Sequence, residues 1–219
     1  MPRVEPDTRY VAVDGPPGAG VSALARALAE VSAARLIADP APDNPFRDQL
    51  ARDPRRFGFQ TQTYCLLARY RQQVELAQPD LFAPAGVVAD YIFARDWMFA
   101  RVTLAPEEFA LYQRIHALLD ARLPTPDLVV YLTADREVLR TRVRRLVASA
   151  DRVIKLNVID QLAEEMDAYF FSYGASPLLV INTSEYDFVE KPHQMEELIA
   201  LIQKTRAGVH HYRPMQITR

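Results

Sequence analysis

The segment from residue 10 to residue 31 constrains the fold of this chain more than any other. Tyr10 to Val13 form a short apolar run, a loop with three glycines follows, and an alanine- and leucine-rich stretch from Ser22 to Val31 has the residue pattern of a helix. A buried strand, a glycine loop and a helix in this order are the opening unit of a parallel α/β sheet.

The rest of the chain repeats the alternation of strand and helix. Apolar runs predict four further strands, at Leu36-Ile37, Val87-Val88-Ala89, Leu128 to Leu132 and Leu178 to Ile181. Helical patterns cover 54–78, 106–121, 136–145, 157–173 and 193–206. The sequence therefore predicts an α/β fold, a doubly wound five-stranded parallel sheet flanked by helices.

Length and charge limit the domain organisation and the partners. With 219 residues, 49% of them hydrophobic, we expect one domain over 9–206 between an N-terminal tail, 1–8, and a C-terminal tail, 207–219. A net charge of −2 provides no general attraction for nucleic acid or anionic lipid. No apolar segment reaches the ~20 residues of a membrane helix, and the N-terminus has no signal-peptide pattern, so we expect a cytoplasmic protein without nucleic-acid or membrane partners. The one cysteine, Cys65, excludes a disulfide framework within the chain and is interpreted as a buried inert thiol.

The glycine loop has the spacing of a phosphate-binding loop but lacks its cation. Gly15 to Ser22 match the pattern G-x-x-x-x-G-K-[ST] except that Val21 replaces the lysine. Gly15, Gly18 and Gly20 are predicted to let backbone N–H groups surround a phosphate, and Ser22 is predicted to be a ligand for Mg²⁺. Val21 offers no positive charge to the phosphate. The alternative is a glycine turn that binds no ligand. The 26 basic residues include only three lysines, so drift would have placed arginine at position 21, and valine indicates a loss of function there.

Further motifs establish a family resemblance. They are Asp43-Asn44-Pro45-Phe46, Phe59 to Tyr64, Arg69-Tyr70, Val88 to Tyr91, Phe99-Ala100-Arg101, Leu123-Pro124-x-Pro126-Asp127 and Val129 to Leu132. With them, residues 9–205 resemble the bacterial deoxynucleoside kinases of the deoxyguanosine/deoxyadenosine kinase type. The resemblance implies a P-loop kinase fold, and transfer of phosphate from ATP, with Mg²⁺, to the 5′-hydroxyl of a deoxynucleoside.

Two carboxylates match functional positions of that family. Asp39 corresponds to the residue that takes the 5′-hydroxyl proton, where the family usually has glutamate; it is one methylene shorter, and a general base must come within about 2.6–3.2 Å of the donor. The alternative is that Asp39 and Pro40 begin a turn. Asp90 corresponds to an acidic residue on the Mg²⁺ side of the site, or it caps the following helix.

Three polar residues match the nucleoside-binding positions. Gln62 and Arg69 are seven residues apart, so two helical turns place them on one face. The resemblance implies that Gln62, Arg69 and Asp96 read the base, while Trp97 departs from the family's polar residue. The alternative is a helix with Gln62 and Arg69 facing solvent.

The segment that closes over the phosphates in this family is altered. Its pattern R-x-x-x-R-G-R-x-x-E corresponds here to 142–151, where Arg142 is kept for phosphate binding but Leu146 and Ala148 replace the inner arginines and Val147 the glycine. Arg144 and Arg145 lie outside the family's register and are interpreted as surface charges.

Three functional hypotheses follow. Each lost stabiliser of the transferring phosphate costs roughly 3–4 kcal/mol, and with non-additivity three of them correspond to about 10⁴–10⁶ in rate. The first hypothesis is an impaired kinase homologue with weakened ATP and Mg²⁺ binding that acts as a nucleoside- or nucleotide-binding, scaffold or regulatory protein, with a protein partner if regulatory. The second is an active or weakly active ATP-dependent kinase of purine deoxynucleosides, with a cation supplied from elsewhere in the chain or by a partner. The third is a structural subunit with an empty pocket.

Two long helical segments bear on assembly. Segments 54–78 and 106–121 are more apolar than one buried face requires, and the resemblance implies that such helices pair two chains into a homodimer. Burial within the monomer is the alternative. His116 is interpreted as a core or interface histidine, and no metal beyond Mg²⁺ is predicted.

Overall fold

The computed structural model describes residues 9–77, 84, 86–121, 123–148 and 156–214. The chain divides into two units, one formed by Met1–Ala38, Phe82–Ile92 and Thr125–Arg219 and the other by Asp39–Leu81 and Phe93–Pro124. The described helices are α1 (Val21–Val31), α2 (Arg47–Arg52), α3 (Pro54–Leu76), α4 (Arg95–Thr103), α5 (Pro106–Asp120), α6 (Arg136–Ala148), α7 (Leu156–Phe171) and α8 (Pro192–Lys204). The domain bounds expected from the sequence stay a prediction.

The first unit contains a parallel sheet. Its strands are β1 (Tyr10–Asp14), β2 (Arg35–Ile37), β3 (Val87–Ala89), β4 (Leu128–Thr133), β5 (Leu178–Asn182) and β6 (Val209–Tyr212). They lie in the order β2-β3-β1-β4-β5-β6, and each neighbouring pair is parallel. The predicted parallel α/β fold is confirmed, but the predicted strand number of five was wrong, since the described residues form a sheet of six strands.

The sixth strand lies in the segment that the sequence indicated to be a tail. β6 continues the sheet beside β5, with Val209 opposite Leu178. The Tyr212 hydroxyl donates a hydrogen bond to Glu197 Oε1 on α8, 2.5 Å away. Val209 to His211 are exposed, so this edge strand has no apolar run. Backbone pairing to β5 holds it in place, together with Tyr212, which is partly buried against the core.

Helix α1 is held by an apolar face. Leu24, Ala25 and Leu28 recur at helical spacing and are almost fully buried, and α1 packs against β1, β3 and α8. The core of this unit also takes in Val11 and Val13 of β1. Because this packing fixes α1 beside β1, the loop between them has a defined shape.

The second unit is helical. The Asp53 side chain accepts a hydrogen bond from the backbone N–H of Arg56, 3.2 Å away, and so caps the start of α3. The core of the unit contains Leu66, Phe93, Ala100 and Tyr112. His116 is buried and stacks on Phe93, with ring centroids 4.8 Å apart.

Helices α2 and α4 were not predicted because both are short, and their charged and apolar residues do not form a clear helical stripe. None of the described helices is long and apolar enough to cross a membrane.

Candidate functional site

The loop from Gly15 to Gly20 has a geometry that requires glycine. Gly18 and Gly20 have φ of +91° and +96°, in the left-handed region. A Cβ at Gly20 would lie 2.5 Å from the Phe188 ring, and one at Gly15 would lie 2.5 Å from the backbone oxygen of Leu132. The loop also leads into the N-terminus of α1, the positive end of its dipole. The geometry of the loop is compatible with phosphate binding by its backbone, which stays a prediction.

Asp14 holds the start of the loop through hydrogen bonds, and it is not among the residues predicted from the sequence. Its carboxylate is fully buried and accepts hydrogen bonds from the backbone N–H of Gly15, 2.7 Å away, and of Ile92, 3.1 Å away. An acidic residue at the end of the first strand is the signal that could have identified it. Asp14 therefore ties the loop to the segment after β3.

Val21 and Ser22 begin α1 and point to different surroundings. Val21 is 8% exposed and belongs to the apolar core of the first unit. Ser22 is exposed, so its hydroxyl is accessible. Asp90, directly after β3, is buried, and its backbone N–H donates to Ile37 O at 3.1 Å. A hydroxyl and a carboxylate are oxygen donors of the kind that Mg²⁺ takes, and the role of Ser22 and Asp90 as its ligands stays a prediction.

Arg142 donates hydrogen bonds to the segment after β5. Its Nη1 donates to Thr183 Oγ1 at 3.0 Å, and its Nη2 donates to the backbone oxygens of Thr183 and Tyr186 at 2.7 and 3.1 Å. Burial lowers the pKa of Arg142. A Cβ at Gly18 would lie 3.5 Å from Arg142 Cβ, so Arg142 lies beside the glycine loop while its guanidinium holds another loop.

Two other arginines of α6 pair with carboxylates of α6 and α7. Arg140 Nε lies 3.0 Å from Asp160 Oδ1, and Nη1 lies 2.5 Å from Glu137 Oε1. Arg136 Nη2 lies 3.2 Å from Asp167 Oδ2. These ion pairs offset part of the positive charge that the arginines give to α6.

The altered closing segment is only partly described. Leu146 is 50% exposed, and Arg144 is exposed as expected of a surface charge. The side chains of Val147 and Ala148, and all of 149–155, lie outside the described residues.

In the second unit, Arg69 joins two of the predicted site residues. Its side chain is buried, Nη2 donates to Asp39 Oδ1 at 2.6 Å, and Nη1 donates to Asp96 Oδ1. Asp39 Oδ1 also accepts from the backbone N–H of Ala41 at 2.9 Å, which is the turn that the sequence left open as an alternative. The Asp39 carboxylate therefore has both a turn contact and an ion pair.

The two carboxylates differ in their electrostatics. Burial raises the pKa of the fully enclosed Asp96 to about 6, and its Oδ2 has no hydrogen-bond partner among the described residues. Burial also acts to raise the pKa of Asp39, but Arg69 and Arg95 outweigh it and the pKa is lowered. A carboxylate with a lowered pKa is a weaker proton acceptor.

Gln62 lies on the same buried face of α3 as Arg69. Both side chains are buried, so the alternative of two solvent-facing residues is wrong. Gln62 Nε2 donates to Thr103 Oγ1 at 3.0 Å, a partner that was not predicted from the sequence. Cys65, between them in the sequence, is buried, and its Sγ accepts from Asn44 Nδ2 at 3.3 Å.

The structure thus brings Asp39, Arg69 and Asp96 together, with Gln62 on the same helix face. The glycine loop, Asp90 and Arg142 belong to the first unit. Convergence of all the predicted residues on one cleft stays a prediction. In the part of the chain that the structure describes, no three His, Cys, Asp or Glu side chains form a group that could hold a metal ion.

Comparison with known proteins gives consistent matches. The sequence profile of the deoxynucleoside kinase family matches residues 11–206. A deoxyguanosine kinase of Bacillus subtilis is 26% identical over 89% of this chain and 96% of its own length. A deoxyadenosine kinase of Dictyostelium discoideum is 26% identical over 87% of this chain and 77% of its own length. The structure of a deoxyadenosine kinase from M. mycoides with bound dATP superposes with a TM-score of 0.75 at 18% identity, covering 90% of this chain and all of that one.

Proposed function

This chain belongs to the deoxynucleoside kinase family, and on that premise we propose that it is a catalytically impaired member which binds deoxynucleosides and acts as a binding, scaffold or regulatory protein. One observation carries the proposal. At the position of the phosphate-binding lysine, the side chain of Val21 is buried in the apolar core, where it has neither a charge nor a hydrogen-bond donor for a phosphate.

The arginines of α6 support the proposal. Catalysis of phosphoryl transfer depends on cations at the phosphate oxygens. Arg142 donates to backbone oxygens of its own unit, and Arg140 is paired with Asp160 and Glu137. Drawing either guanidinium to a phosphate would break contacts that it already makes, so neither readily replaces the lost lysine.

Asp39 supports the same conclusion from the side of the base. Its Oδ1 accepts hydrogen bonds from Arg69 and from the backbone of Ala41, and its pKa is lowered. A general base that removes the proton of a 5′-hydroxyl works best when its pKa lies near the working pH, and a lowered pKa moves a carboxylate away from it. We infer that Asp39 chiefly orients Arg69 and removes protons poorly.

The nucleoside side of the site keeps its polar groups. Gln62, Arg69 and Asp96 are buried on neighbouring helices of the second unit, and together they offer donors and acceptors for a purine edge. The deoxyguanosine and deoxyadenosine kinases among the relatives favour a purine deoxynucleoside as the ligand.

ATP and Mg²⁺ are proposed as weakened ligands. The backbone of the glycine loop and the N-terminus of α1 would hold phosphate, and Ser22 and Asp90 would hold the metal ion. When bound, Mg²⁺ neutralises charge on the phosphate oxygens. Without a lysine at position 21, we expect ATP to bind more weakly than it does to active relatives.

A homodimer is also proposed. Leu67 of α3 and Leu111 and Leu118 of α5 are between 52% and 76% exposed, which fits pairing of these helices with a second copy. Sedimentation velocity at micromolar concentration is expected to show a dimer, and Leu118→Arg should shift it to a monomer. A monomeric wild type would overturn this part of the proposal.

Two measurements on the purified protein test the central proposal. The purified protein is assayed with ATP and Mg²⁺ on deoxyadenosine, deoxyguanosine and deoxycytidine. Its phosphorylation rate on each should be at least roughly 10⁴-fold below the rate at which the B. subtilis deoxyguanosine kinase, assayed in parallel, phosphorylates deoxyguanosine. Calorimetry should show binding of a purine deoxynucleoside. Turnover near 1 s⁻¹ would establish an active kinase instead, and the absence of binding at millimolar nucleoside would leave the structural-subunit hypothesis.

A further inference from the structure

The contact between Gln62 and Thr103 fixes which way round the Gln62 amide lies. Thr103 Oγ1 lies 2.7 Å from the backbone oxygen of Phe99 and 3.0 Å from Gln62 Nε2. A hydroxyl has one proton, and a backbone oxygen can only accept, so the Thr103 proton goes to Phe99. Towards Gln62 the hydroxyl can then only accept, and the group that faces it must be the amide nitrogen.

The other side of the amide is left for a ligand. Gln62 Oε1 has no hydrogen-bond partner among the described residues, and Nε2 has a second proton that Thr103 does not use. Gln62 is only 9% exposed. If the amide turned by 180°, its oxygen would face the lone pairs of Thr103, and that hydrogen bond would be lost. The amide therefore presents an acceptor and a donor in one fixed order.

That order distinguishes two classes of purine. A 6-amino purine has a donor at the C6 substituent and an acceptor at N1, whereas a 6-oxo purine has an acceptor at the C6 substituent and a donor at N1. In one pose of the base, an amide of fixed orientation complements one of these edges and opposes the other. An amide free to turn complements both.

We propose that Thr103 is a specificity-determining positioning residue, which holds the Gln62 amide so that the site discriminates between 6-amino and 6-oxo purine deoxynucleosides. The proposal rests on the nucleoside binding proposed above. Thr103 itself acts only through Gln62. Because Thr103 is exposed at the end of α4, its substitution leaves the core of the second unit in place.

The probes are 2′-deoxyadenosine and 2′-deoxyinosine, which differ only at C6 and in the protonation of N1. Calorimetric dissociation constants are measured for the wild type, Thr103→Val, which has nearly the same shape but no hydroxyl, and Thr103→Ser, which keeps the hydroxyl. We expect the wild-type constants to differ by about 10-fold or more. Thr103→Val should reduce the difference to less than about 3-fold, and Thr103→Ser should retain it.

The ratio of the two constants separates specificity from general damage, since a merely loosened site weakens both ligands alike. A wild type that binds both nucleosides equally overturns the proposal without the use of any variant. So does a Thr103→Val ratio that equals the wild-type ratio, or a Thr103→Ser ratio that falls as far as that of Thr103→Val. If the wild type binds neither nucleoside, the proposed function itself fails and this inference fails with it.

Discussion

Substitution of Arg142 by methionine tests whether this arginine holds protein or phosphate. The change removes three hydrogen bonds, to Thr183 Oγ1 and to the backbone oxygens of Thr183 and Tyr186. Methionine keeps the length of the side chain, so the packing beside Gly18 is largely preserved. The loop after β5 loses its charged donor.

The expected cost follows from these bonds. Hydrogen bonds to a charged group contribute about 1.5–3 kcal/mol each. Because Arg142 is partly exposed, solvent reduces the sum, and we expect a loss of about 2–4 kcal/mol in the free energy of unfolding. At this chain length that corresponds to a fall in Tm of about 5–15 °C. Arg144→Met is the matched control, because Arg144 lies on the same helix and is exposed. It should lower Tm by less than about 2 °C.

The assay pairs thermal unfolding with calorimetric titration of ATP and Mg²⁺. If Arg142 mainly anchors the loop, Arg142→Met lowers Tm while the affinity for ATP changes less than about threefold. A variant with unchanged Tm and an ATP affinity reduced tenfold or more would refute the reasoning. The phosphate role implied by the family resemblance would then stand.

Three other substitutions have defined outcomes. Val21→Lys should raise the phosphorylation rate by less than about tenfold, because the arginines of the closing segment are still missing; recovery to within tenfold of the B. subtilis enzyme would show that position 21 alone disables the site. Gln62→Ala should weaken purine deoxynucleoside binding by about 1–3 kcal/mol. Gln60→Ala, at an exposed position of the same helix, is the neutral control, and equal affinities for the two variants would show that Gln62 does not bind the nucleoside. Because burial raises the pKa of Asp96 to about 6, the folded state binds this proton more tightly than the unfolded state does. The contribution of the protonated group to the free energy of unfolding is therefore largest at low pH and is lost as the pH rises towards 6. In urea titrations, the unfolding free energy of the wild type relative to Asp96→Asn should fall by about 2 kcal/mol between pH 4 and pH 7, and a rise over that interval would contradict the assignment.

Local features of the chain could be predicted because they depend on residues close together in the sequence. The glycine loop and α1 follow from the spacing of Gly15 and Gly20 and from the leucines at helical intervals. Helix α3 runs from Pro54, as predicted, to Leu76, two residues short of the expected end. The common face of Gln62 and Arg69 follows from their seven-residue spacing alone.

Strand β6 depends on a partner far away in the chain. Its exposed residues have no pattern of their own, and it exists because the edge of β5 offers hydrogen bonds to residues 209–212. Helix α4 is similar, since its buried Asp96 and Met98 are covered by the fold of the second unit and do not form an apolar stripe.

The roles of the charged side chains were decided by tertiary structure. The sequence placed Arg69 and Asp96 in one site through the family resemblance, but only the fold of the second unit brings Asp39, which follows β2 in the chain, to Arg69 as well. The sequence likewise marked Arg142 as a retained cation, and only the position of the loop after β5 supplies the oxygens that occupy it. A helix or a loop forms through neighbours in the sequence, whereas the pKa and the binding role of a side chain depend on which distant charges and backbone oxygens the fold brings within about 3 Å.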